Sequence, residues 1–103
     1  MRRAAALLLM AFAAAYDRSR LTLWSWQADG GAITADLEPP SGFADFSSTA
    51  QEVAATAAFD ALAHPLRTAL GAAADAPVTL HIHLADGRII DYDGEALHAP
   101  RDP

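Results

Sequence analysis

The sequence predicts an α+β domain: an antiparallel sheet of two β-hairpins with one Pro-kinked helix packed on one face. Three observations carry this reading. Two stretches, 20–38 and 78–93, alternate apolar and polar residues around a turn spelled ADG. Between them, Phe59, Leu62, Leu66 and Leu70 recur at helical spacing. The chain has 103 residues, 52% of them hydrophobic, and no cysteine, so it holds one core without a disulfide frame.

The first hairpin begins with RLTLWSWQ, rich in strand formers, turns at ADGG and returns through AITADLE. Strict alternation puts Leu21 and Leu23 on one face and Thr22, Trp24 and Trp26 on the other. In the returning strand Ile33, Ala35 and Leu37 form an apolar face, and Pro39-Pro40 ends it. Residues 39–48 form a loop in which Phe43 and Phe46 are the expected anchors.

The helix follows. Ser48 with Gln51, or Thr49 with Glu52, has the spacing of a capping box. Ala55 and Ala63 flank the apolar stripe, and Gly71 is a natural stop. Pro65 removes an amide donor within this pattern, so it kinks the helix near Ala61 or starts a second short helix at HPLRTAL.

VTLHIHL, the ADG turn and RIIDYD make the second hairpin. A type I turn with Gly87 in the left-handed position sets Leu84 opposite Arg88, Ile82 opposite Ile90 and Leu80 opposite Tyr92. Beyond Gly94, the tail with Pro100 and Pro103 is expected to fray.

The opening MRRAAALLLMAFAAAYDRSR has the order of a secretory signal peptide: Arg2 and Arg3, an apolar run from Ala4 to Ala15, then small residues before polar sequence. The expected division is a signal peptide at 1–15 and a small α+β domain at 16–103. That predicts a periplasmic or secreted protein. A run of about twelve residues is too short for a stable membrane span. The alternative is a retained N-terminal helix in a cytoplasmic protein, since Ala, Leu and Met favour helix. Such a helix would cover the tryptophans.

Ten Asp and three Glu against seven Arg give a net charge of −6. The arginines beyond residue 15 are scattered, so nucleic acid is an unfavoured partner. An acidic surface suits a basic protein partner. Dimerisation would help so small a core, although nothing in the sequence demands it.

Three features could carry chemistry. Trp24 and Trp26, projecting together, would form an aromatic contact platform. His81 and His83 leave their strand on one face, with Asp91 opposite His81. Two imidazoles and a carboxylate are a ligand set for Zn²⁺, which could activate water. The acidic set Asp86, Asp91, Asp93 and Glu95 lacks the spacing of a calcium loop and reads as a polar strand end. No nucleophile-elbow, phosphate-loop or metalloprotease motif occurs. The favoured function is a small acidic interaction domain, exported, non-enzymatic and without cofactor, that binds protein through Trp24 and Trp26. The alternatives are a metal-binding protein or metal-dependent hydrolase using His81, His83 and Asp91, and a structural subunit of a larger assembly.

Overall fold

The computed structural model describes residues 2–103, with side chains described from Leu8 onward. Its elements run α1 (Arg2–Ser19), β1 (Thr22–Asp29), β2 (Ala32–Glu38), a 3-10 turn (Phe43–Asp45), α2 (Ser48–Ala69), β3 (Val78–His83) and β4 (Ile89–Tyr92). The fold is α+β, with two helices and a four-stranded sheet in the order β1-β2-β3-β4.

Both hairpins form. The first closes on Gly30 and Gly31, both at positive φ, as a two-residue turn with Asp29 paired to Ala32 requires. The second pairs Leu80 with Tyr92, His81 with Asp91 and Ile82 with Ile90, the register expected from its turn.

The sheet as a whole is mixed, not antiparallel. β2 and β3 pair in parallel, with Ile33 beside Val78 and Leu37 beside Ile82. The cause lies in the connection. Pro39-Pro40 ends β2 by withholding amide donors. The 22-residue α2 then carries the chain back along the sheet, so β3 starts level with the start of β2.

α2 is capped by Ser47, one residue before the Ser48 capping box and two before the Thr49 one. Its hydroxyl accepts from the Ala50 amide at 3.1 Å. Gln51 does not reach back to the cap. Its side-chain amide instead donates to the Phe43 carbonyl at 2.9 Å, tying the loop to the helix. The helix runs through Pro65 to Ala69, so HPLRTAL starts no second helix. It ends with Gly71 N–H donating to the Thr68 carbonyl and Ala72 N–H to the Arg67 carbonyl, a Schellman pair.

One core joins both helices to one face of the sheet. Ala55, Ala58, Leu62 and Leu66 of α2 pack over Ile33, Leu37, Leu80, Ile82 and Ile90. Each fully buried Leu or Ile contributes about 1.5–3 kcal/mol of transfer free energy. Tyr92 is buried, and its hydroxyl meets Thr56 Oγ1 at 2.9 Å.

α1 belongs to this core. Leu8 and Ala11 are buried, and Ala15 is 0% exposed. The helix continues across residues 15 and 16 without a break. Ser19 then secures its junction with β1. Its hydroxyl donates to the Ala15 carbonyl and accepts from the Leu21 amide at 3.0 Å, satisfying two groups beside the wholly buried Leu21. Among the described residues no helix is long and apolar enough to cross a membrane.

The tail is ordered against β4, not frayed. Ile89 and Arg101 exchange backbone hydrogen bonds at 2.8 and 2.9 Å, and His98 N–H donates to the Asp91 carbonyl. Gly94 lies against Phe59: a Cβ there would stand 2.7 Å from the ring, and φ is +97°. Glycine is the residue that admits both the close approach and the backbone angle.

Candidate functional site

The helices leave one face of the sheet uncovered, and β1 is irregular on that side. Leu23 pairs with Leu37 and Ser25 with Asp36, so Trp24 is an extra residue in the ladder. This β-bulge changes the alternation that follows it. Trp26 pairs with Ala35 and turns to the core, where its ring meets Phe12 of α1 edge-on at 5.2 Å. Trp24 stays on the open face, 56% exposed. The two indoles therefore form no common platform. Strict alternation failed here because one inserted residue reverses every later side chain.

Trp24 stands beside His83, with ring centroids 5.3 Å apart. His83 Nε2 lies 2.9 Å from Asp36 Oδ1, so the carboxylate orients the imidazole. His81 sits between two carboxylates: its Nδ1 is 3.6 Å from Asp36 and its Nε2 is 3.4 Å from Asp91. Asp91 is in turn gripped by Arg101 through both oxygens. The parallel pairing of β2 with β3 places Asp36 next to His81, and the β3–β4 hairpin places Asp91 on its other side.

The charges follow from these contacts. The hydrogen bond from Arg101 holds the Asp91 carboxyl below the ordinary carboxylate range against the opposing effect of partial burial. The positive charge of Arg101 adds to it. Asp91 reciprocally raises Arg101. Asp93 is lowered by the backbone amides of Ala96 and Glu95, and Asp86 by the backbone and side chain of Arg88. These acidic residues are thus spent on local turns and ion pairs, as a polar strand end would spend them.

The sequence-predicted set His81, His83 and Asp91 shares the open face, but its partners are divided. His81 contacts Asp91, whereas His83 contacts Asp36. Among the described residues no group of three or more His, Asp or Glu side chains is arranged as a metal site.

A cleft of about 650 Å³ opens beside Trp24. Trp24 and His83 border it on the sheet. Glu38 and Pro40 follow from the end of β2, Asp45 from the 3-10 turn and Ala85 from the β3–β4 turn. Sequence fixes this shape locally. The two prolines release the chain from the sheet, and Phe43, only 1% exposed, pins the loop back to the core. Phe46 packs on Phe43 with centroids at 5.3 Å.

Sequence reasoning missed Asp36, Glu38, Asp45 and Arg101. Asp36 and Glu38 already lay on the outward side of AITADLE, but which strand stood beside them was not visible. The class defined by this architecture is a two-layer α+β domain with one open sheet face. No family model, curated protein or solved structure matches the chain.

Proposed function

We propose that the chain is a small, non-enzymatic interaction domain that takes a protein partner in the cleft beside Trp24. The observation that carries this reading is the exposed indole at the border of a 650 Å³ concavity. Tryptophan supplies large contact area at low entropic cost and is enriched among the residues that dominate protein interfaces. His83 and Asp36 fix one side of the indole in advance, which reduces the ordering cost on binding. Trp26 has a structural part, holding α1 to the sheet. In this reading α1 stays with the domain, because the core includes Leu8, Ala11 and Ala15.

The test is site-specific photo-crosslinking in the native host. A photoreactive residue replaces Ala44, exposed in the cleft, or Val53, exposed on α2. A defined covalent adduct from position 44, absent from position 53 and lost with Trp24→Ala, is expected. Equal capture from both positions, or capture indifferent to Trp24→Ala, would overturn the reading.

A further inference from the structure

The chemistry of the cleft narrows the partner further, on the reading that the cleft is the contact surface. Acidic side chains on the open face and along β4 are mostly matched: Asp36 with His81 and His83, Asp91 with Arg101, Asp86 with Arg88, and Asp93 with His98. Glu38 and Asp45 differ. Both line the cleft, both are exposed, and among the described residues neither makes an ion pair. No arginine of the described residues lines the cleft with them. Arg67 and Arg101 are committed elsewhere, to the Ala76 carbonyl and to Asp91, and Arg20 lies over Tyr16. The concavity therefore combines two uncompensated carboxylates with an exposed indole, in a chain of net charge −6.

We infer that the cleft receives an arginine side chain from a basic segment of the partner. A guanidinium is flat and weakly hydrated. It can lie against an indole face while its N–H fork reaches a carboxylate. An ammonium, compact and strongly hydrated, uses only part of that geometry. The negative field of the whole chain would also speed encounter with a basic segment, and added salt would weaken that effect.

The experiment uses the full chain labelled with ¹⁵N and two blocked tripeptides, acetyl-Gly-Arg-Gly-amide and its citrulline counterpart. Citrulline keeps the planar shape and removes the charge. The readout is the indole N–H resonance of each tryptophan, assigned with Trp24→Phe. The arginine peptide is expected to shift Trp24 and leave Trp26 in place, and the citrulline peptide to shift neither at the same concentration. Replacing both carboxylates, Glu38→Gln with Asp45→Asn, should weaken the arginine peptide about tenfold. Unchanged backbone amide resonances verify that this variant is folded.

Equal response to both peptides would overturn the cationic ligand while leaving the cleft as a contact surface. No response at Trp24, together with a Trp24-dependent adduct from position 44, would overturn the arginine proposal alone. Loss of both the response and the adduct would overturn the arginine proposal and the interaction reading together.

Discussion

Trp24 and Trp26 are two residues apart on one strand and live in different worlds. One is 56% exposed beside His83 on the open face; the other is half-buried against Phe12 of α1. A regular strand would have given them the same environment. The bulge at Trp24 separates them, and with them it separates two tasks. The inward indole closes the core, and the outward one is free for recognition. A side chain's chemistry alone does not decide its role. The ladder position of its backbone does.

The strongest way to break this contrast is to remove the cover over Trp26. Deleting residues 2–15 takes Leu8, Ala11, Phe12 and Ala15 from the core. Several buried apolar groups would be lost from a domain whose total stability is about 5–15 kcal/mol. Loss of cooperative thermal unfolding is expected in circular dichroism, with tryptophan emission shifted to the red. A truncated chain that melts like the parent would show that α1 is dispensable.

Single substitutions then measure the two indoles separately. Trp26→Ala should cost about 2–3 kcal/mol, less than a fully buried aromatic because Trp26 retains some exposure. For a domain of this size that lowers Tm by roughly 10–20 °C. Trp24→Ala should stay within about 0.5 kcal/mol in urea unfolding, as exposed sites usually do. Equal losses at the two positions would contradict the division of labour.

The bulge itself can be tested. Deleting Ser25 would let Leu23, Trp24 and Trp26 alternate regularly, keeping Trp26 inward and Trp24 outward. Deleting Gln27 would leave the bulge and shift the residues beyond it. The Ser25 deletion should therefore retain the higher Tm of the pair. The reverse order would mean that the bulge carries stability of its own.

The smallest expected effect concerns acid. Arg101 depresses the Asp91 carboxyl in the folded chain. Its contribution is therefore complete above the ordinary aspartate range near pH 4 and is lost as pH falls through the lowered value. Asp91→Asn should lower Tm slightly at pH 7, by an amount equivalent to at most about 1 kcal/mol, because Arg101 is exposed. It should also flatten the acid limb of a Tm-against-pH curve. A mutant curve parallel to that of the parent down to pH 2 would remove this pair from the account.

The division between what sequence revealed and what it concealed follows the range of the interactions. The Gly30-Gly31 turn and the Leu80–Tyr92 register depend on residues close together in the chain, and they were legible. The helical stripe was legible too, because Leu62 and Leu66 are periodic in themselves. The parallel contact of β2 with β3 depends on where a 22-residue helix returns the chain, and alternation carries no trace of that. Asp36 consequently entered the histidine cluster unseen. The bulge was hidden for another reason: W-S-W satisfies alternation on its face, and the preference of Trp26 for the core depends on Phe12, a residue of a different element.

The tail and the bulge also bear on how the sheet ends. In a four-stranded sheet, β1 and β4 are the edges, and unpaired edge backbones invite strands from other molecules. Along β4 the returning tail occupies backbone groups of Ile89 and Asp91. Along β1 the inserted Trp24 interrupts the even spacing that an incoming strand would need. The tail on one margin and the bulge on the other shorten the regular backbone that each edge presents to a strand from another molecule, while one broad face of the sheet lies open.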